Sequence, residues 1–175
     1  MVPIAHFKSP LETTHLFLRA SQSEDLKPLF AIGSDPEVWS LHSETDRYTK
    51  EKFSAYFESG LCNELGAYTL IYKSTGEVAG FTRYYDYDSV ATTVKIGYTF
   101  LSKVLWGKGL NQELKKAMID HAFEGGCTQV IFEVFERNFR SQRAVLKLGA
   151  LEIEPRGDRK RFALFRTDAF SSLAT

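Results

Sequence analysis

The chain has 175 residues, 43% hydrophobic and 25% charged, which is a globular composition on a length that buries a core within one domain. Its 22 basic residues balance 22 acidic ones, so net charge gives no global attraction to nucleic acid or to an anionic membrane. Two cysteines without C-x-x-C spacing and four histidines without ligand spacing argue against a disulfide framework and a metal site, and no apolar run approaches the ~20 residues that cross a bilayer.

The start, Met1 to His6, lacks the charged-then-apolar pattern of a signal peptide, so the cytoplasm, with reduced Cys62 and Cys127, is the expected location. His15 to Arg19 predicts a strand. Ser23 is placed to cap a helix through Leu26, Leu29, Phe30 and Ile32 that stops near Gly33, ahead of Asp35-Pro36. Thr49 opens another helix, with Phe53, Tyr56, Phe57 and Leu61 on its apolar face. A polar loop, Ser40 to Tyr48, lies between them.

Ala67 to Lys73 and Glu77 to Tyr87 predict strands joined by a turn at Ser74-Thr75-Gly76. Thr92 to Leu101 is a third, and strict alternation puts Thr92, Val94, Ile96, Tyr98 and Phe100 on one face. Leu110 to Glu124 carries a helical stripe ending at Gly125-Gly126. Gln129 to Phe135 is an apolar strand interrupted by Glu133. A short helix, Asn138 to Leu148, ends at Gly149. Strands Leu151 to Glu154 and Arg161 to Arg166 flank a basic turn, Arg156 to Lys160. The order β-α-α-β-β-β-α-β-α-β-β predicts a mixed α+β sheet with one parallel crossover at its centre.

The most informative stretch is Leu105-Trp106-Gly107-Lys108-Gly109-Leu110-Asn111, between the strand Thr92 to Leu101 and the long helix. Two glycines let a backbone approach a ligand closely, and free N–H groups with a positive dipole end suit a phosphate. Positive charge gathers at the starts of two helices: Lys103, Lys108, Lys115 and Lys116 around this loop, then Arg137, Arg140, Arg143 and Lys147. Such runs are otherwise solvated helix faces.

Taken together, Ile96-Gly97-Tyr98-Thr99-Phe100-Leu101, Trp106-Gly107-Lys108-Gly109-Leu110-Asn111, Asn138-Phe139-Arg140-Ser141 and Lys147-Leu148-Gly149-Ala150 resemble the GCN5-related N-acetyltransferases (GNAT). Within that family the likeness is to the branch of ribosomal-protein N-terminal (alanine/serine) acetyltransferases, and it runs from about His15 to Asp168. It implies one domain over 1–175 with a core of about 14–169, and helices on both faces of the mixed sheet. It also implies transfer of acetyl from acetyl-CoA to a primary amine, of a protein N-terminus or a small molecule, by direct attack in a ternary complex. No metal, nucleic acid or membrane is implied, and the exposed helices and C-terminal strands leave a homodimer open.

The resemblance also implies a site. The strand ending at Phe100-Leu101 would bulge and splay from the next strand and hold the pantetheine arm by its backbone, with Leu105 to Asn111 on the pyrophosphate, Asn138 on the pantetheine chain and Ser141 facing the thioester sulfur. Three positions depart from the family pattern: Lys95 where many members carry glutamate, Val145 where many carry tyrosine, and Val104 at the first position of the glycine signature. Glu133 is the candidate replacement base, acting through water, or else an ion-pair partner of a neighbouring arginine such as Arg83. His42 and Glu44 either touch the acceptor or are solvated, and Arg83 is placed with them on the acceptor side. Tyr98 either lines the cleft or belongs to the core, and Trp106 either covers the coenzyme or anchors its loop. The alternative to an enzyme is a catalytically silent acyl-CoA-binding module, motivated by Lys95 and Val145. Nucleic-acid binding through Arg156 to Arg161 is disfavoured by the net charge.

Overall fold

The computed structural model describes residues 2–167; the last residues of the predicted domain lie outside them. Thirteen regular elements follow in order: β1 (Leu11–Glu12), β2 (Leu16–Ala20), α1 (Leu26–Gly33), α2 (Pro36–Trp39), α3 (Lys50–Leu61), β3 (Tyr68–Tyr72), β4 (Glu77–Asp88), β5 (Thr93–Leu101), α4 (Leu110–Gly125), β6 (Gln129–Phe135), α5 (Phe139–Lys147), β7 (Leu151–Arg156) and β8 (Arg159–Phe165). The strands form one eight-stranded sheet in the order β1-β2-β3-β4-β5-β6-β8-β7. Only β5 and β6 run parallel, joined by the α4 crossover, while every other pair is antiparallel.

Two apolar clusters flank the sheet and make three layers. On one face Leu110, Leu114, Met118 and Ala122 of α4 and Val145 of α5 pack against Val94, Ile96, Val130 and Phe132. On the other, Leu29 of α1, Trp39 of α2, and Phe53, Tyr56 and Phe57 of α3 pack against Phe81 and Phe100. Rings dominate the second cluster: Trp39 lies 5.2 Å from Phe100, and its indole N–H donates to the Gly33 carbonyl at 2.7 Å. Burying aromatic area while satisfying the indole fixes α1 and α2 over the end of β5.

The structure corrects the sequence in four places. Gln22, not Ser23, caps the first helical segment, which begins as a 3-10 turn and shares a reciprocal capping box with Asp25. The two-residue β1 and the short α2 lack a periodic signal because neither is long enough to show one. The basic turn shrinks to Gly157-Asp158, since β7 runs on to Arg156 and β8 starts at Arg159. Most consequential, alternation along β5 fails. Val94 and Ile96 face α4, but Phe100 faces α1–α3. The register against β4 shifts between Phe81/Phe100 and Arg83/Gly97, and Tyr98 sits in the left-handed region at φ 54. This β-bulge inserts a residue and swaps the faces of everything after it.

Candidate active site

Strands β5 and β6 pair only through Thr93–Lys95 and Gln129–Ile131. Beyond Lys95 they part, and a cleft of about 720 Å3 opens between them. Its walls include Tyr98, Thr99, Phe100 and Leu101 from β5 and Phe132 to Phe135 from β6. The facing strand edges therefore carry main-chain groups that no ladder uses, which a ligand with amide groups can pair as a strand would.

At the head of the cleft, Gly107 and Gly109 both take φ 77, a left-handed conformation that costs a side-chain-bearing residue about 1–2 kcal/mol. A Cβ at either would meet no protein atom within 4 Å, so the loop faces open space. Gln112 and Glu113 are the first amides to bond within α4, both to the Gly109 carbonyl at 3.0 and 3.1 Å. The N–H groups from Gly107 to Asn111 have no protein acceptor among the described residues. A row of unpaired donors on the positive end of a 16-residue helix fits a pyrophosphate. Leu105, Trp106, Gly107, Gly109, Leu110 and Asn111 all line the cleft; the Lys108 side chain does not, and lies 5.8 Å from the Tyr72 ring instead. Trp106 anchors its loop and also lines the cleft. Its indole donates to the Leu101 carbonyl at 3.0 Å, and its ring lines the cleft beneath the Arg140 guanidinium at 4.4 Å.

Asn138 and Ser141 line the cleft together. Asn138 also serves the helix it precedes. Its Oδ1 caps α5 by accepting from the Ser141 amide at 3.0 Å, which leaves its Nδ2 for a ligand. Gln142 ties α5 to the end of β6 through the carbonyls of Phe135 and Glu136, at 3.3 and 2.7 Å. Val145 is fully buried against the sheet and presents nothing to the cleft.

Glu133 lines the cleft as an ion-pair partner, though not of Arg83. Its Oε1 lies 2.8 Å from Lys95 Nζ and 3.5 Å from Arg161 Nε, and Lys95 also reaches Asp86 at 2.9 Å. Burial disfavours the Lys95 charge, but hydrogen bonds to Glu133 and Asp86 outweigh it and hold the ammonium above its ordinary pKa. Arg83 is corrected from the acceptor side: it is buried, donates to Ser59 Oγ at 3.1 Å and stacks 3.5 Å from the Tyr98 ring. Its neighbour on β5 is the bulge, whose residue Tyr98 projects into the cleft while the Arg83 guanidinium supports it from behind.

His42 and Glu44 reach the opposite lip with Ser43 and Arg47. The Arg47 guanidinium stacks 4.8 Å from the Tyr56 ring and 5.6 Å from Trp39, and bonds Glu44 at 3.1 Å. Arg159 of β8 crosses to Ser43 Oγ at 2.7 Å. Burial, with Arg47, Arg140 and Arg159 close by, depresses the His42 imidazole to about 4.

Periodicity alone misses four contributors. Lys115 sits one turn into α4, is 5% exposed, lines the cleft 5.3 Å from the Phe132 ring, and is lowered to about 8 by burial. Among its neighbours in sequence, only the helical phase of Leu114 and Met118 marks its position as inward. Tyr56 reads as a core aromatic, yet its hydroxyl donates to the Tyr98 carbonyl. Arg47 and Arg159 lie 112 residues apart and meet only through folding. Among the described residues, no group of His, Cys, Asp or Glu is placed to hold a metal ion, and no helix is long and apolar enough to cross a membrane.

A family model, the acetyltransferase (GNAT) domain, matches residues 15–151. An uncharacterised N-acetyltransferase, p20, of Bacillus licheniformis is 29% identical over 117 residues; the match spans 65% of this chain and 65% of that relative. Among solved structures, a GCN5-related N-acetyltransferase from Brucella melitensis superposes with a TM-score of 0.79 at 17% identity, over 90% of this chain and 79% of that one. A spermidine N-acetyltransferase from Vibrio cholerae, in complex with CoA and spermine, gives a TM-score of 0.71 at 14% identity, over 90% and 99%. The bulged and splayed central strands, the glycine loop of unpaired amides and the extent of the family match lead to one assignment: the chain belongs to the GNAT acetyltransferase family.

Proposed function

We propose that this protein transfers acetyl from acetyl-CoA to a primary amine by direct attack within a ternary complex, from a single domain spanning about residues 14–169. The observation that carries the reading is the row of unpaired amides from Gly107 to Asn111 at the head of a cleft open between two strands. Those amides hold the pyrophosphate, and the free edge at Phe100 and Leu101 pairs with the pantetheine arm. Asn138 Nδ2 bonds the same arm, and the Ser141 hydroxyl stands at the thiol end to donate to the leaving sulfur. Coenzyme A supplies the activated thioester; the chain's part is to orient it and exclude water.

The acceptor has to arrive as a neutral amine, and here the cleft itself replaces a missing base. An ammonium among Arg47, Arg140 and Arg159 loses its proton for the reason His42 does, because burial and like charges disfavour the cation. An α-amine, with a reference value of ~8 against ~10.4 for lysine, needs the smaller push, which favours a peptide N-terminus or an amino compound. Glu133, held between Lys95 and Arg161, takes part as an anchor for bound water rather than as a free carboxylate. The same reading places the protein in the cytoplasm, without nucleic-acid or membrane partners, with a homodimer open to it through its exposed helices.

A second reading, a coenzyme-binding module without turnover, is favoured by the burial of Val145, which leaves no proton donor at that position. Thiol release from acetyl-CoA over a panel of amines separates the two. The proposed activity shows as amine-dependent release that falls in Ser141→Ala and persists at reduced rate in Glu133→Gln. Tight acetyl-CoA binding without release on any amine supports the silent module.

A further inference from the structure

We propose that the acceptor amine also carries a carboxylate, and that Arg47 and Arg159, assisted by Arg140, recognise it; this rests on the transferase reading above. The charge along the cleft is lopsided. Its lining holds Arg47, Lys115, Arg140, Arg143, Lys147 and Arg159 against only Glu44 and Glu133. Glu133 is already matched by Lys95 and Arg161, and Glu44 by Arg47 alone. Amides and the cations farther along α5, Arg143 and Lys147, suffice for the coenzyme phosphates. That leaves a separate group of guanidinium ions around the His42 ring, Arg47 on its own lip and Arg140 and Arg159 from across the cleft.

Those ions are held in place rather than trailing in solvent. The Arg47 side chain is 11% exposed and lies against two rings, and its Nε is buried with no hydrogen-bond partner. Arg159 is fixed by Ser43 and by Asp158, whose Oδ1 is 3.3 Å from its Nε. Arg140 is flattened on Trp106. A planar guanidinium offers a carboxylate two parallel bonds, and Arg47, Arg140 and Arg159 all line the cleft. The same field opposes polycations. The Vibrio cholerae neighbour is a spermidine N-acetyltransferase seen with spermine; in this chain a second ammonium in the acceptor would face arginines, against Glu44 lining the cleft and Asp158 beside Arg159.

The test measures thiol release at saturating acetyl-CoA with matched acceptors: acidic and neutral amino acids, their carboxamides, short peptides ending in carboxylate or amide, and spermidine. The expected result is kcat/KM about tenfold or more higher for each carboxylate than for its amide, the scale of one charge-assisted hydrogen bond. Free amino acids and peptides report which kind of molecule brings the carboxylate. Arg47→Gln or Arg159→Gln raises KM for the acid severalfold and leaves KM for acetyl-CoA unchanged, while Arg159→Lys retains part of the preference. Equal rates for acid and amide, or a preference for spermidine, overturn the carboxylate proposal and leave the transferase intact. Acetyl-CoA binding with silence on every amine overturns both.

Discussion

The Tyr56 hydroxyl donates to the main-chain oxygen of Tyr98, the one residue of β5 whose backbone turns left-handed. Tyr56 is on α3 and buried, and burial raises its phenol pKa, so it stays a donor across the physiological range. A helix on one face of the sheet thereby fixes the peptide at which β5 changes faces. Tyr56→Phe keeps the ring and removes only that bond. Unfolding in urea is expected to lose about 1 kcal/mol. On the proposed reading kcat falls more than KM for acetyl-CoA changes, because the bulge is loosened while the phosphate amides stay in place.

His42 gives the cleft a pH signature. Its folded value, about 4, lies below the ordinary 6.5. Below 6.5 the unfolded chain takes up a proton that the folded chain refuses, so the stability this site contributes is complete above that value and is lost as pH falls toward 4. The His42 ring resonances followed by NMR are expected to stay flat down to about pH 5. Arg47→Gln moves the midpoint upward by removing one of the charges that depress it.

Lys115 predicts a slope of the same sign on the alkaline side. Burial without a carboxylate partner lowers it from 10.5 to about 8. Between those values the unfolded chain holds the extra proton, so stability rises as pH climbs through the window. At pH 7 the burden is about 3 kcal/mol, from the shift at about 1.36 kcal/mol per pKa unit. Lys115→Met is expected to be the more stable protein by that order at pH 7, with the gap closing toward pH 10.5. Equal denaturation midpoints at pH 7 would mean the ammonium reaches water through the cleft.

Asn138 combines two roles that one pair of variants separates. Asn138→Ala removes the cap on α5 and is expected to cost about 1 kcal/mol, while Asn138→Asp keeps the acceptor that bonds the Ser141 amide and stays near wild-type stability. Both lose Nδ2, so both are expected to weaken acetyl-CoA, measured by isothermal titration. Normal coenzyme affinity in Asn138→Asp would leave Asn138 only its capping role.

The glycine loop and the parallel crossover were legible in the sequence because each depends on local chemistry: glycines where φ is positive, and apolar residues at helical spacing. The bulge in the strand ending at Phe100-Leu101 was implied by the family resemblance alone: nothing in the periodicity of Ile96-Gly97-Tyr98-Thr99-Phe100 departs from alternation, and its place at Tyr98 shows only against β4. Arg83 illustrates a second limit. Its charge suggested the acceptor side, but the side chain stacks behind Tyr98, and which face of a strand a residue takes depends on that same unseen register shift. Glu133 fell between: an acid in an apolar strand signals a partner, but Lys95 becomes that partner only once β5 and β6 lie parallel.

In mechanical terms the sheet carries a crack. It starts at the free ends of β5 and β6 and stops at the third paired residue, Lys95, where the bond to Glu133 acts as a rivet at the tip. Five strands hang on one side and three on the other. A molecule seated in the opening and bonded to both edges stitches the halves together. On the proposed reading, donor binding stiffens the body that carries the acceptor site, since the lip holding His42 stands on one half and Arg159 on the other. The bond from Arg159 to Ser43 spans the mouth, so on that reading the width offered to the acceptor follows how far the crack is closed from within.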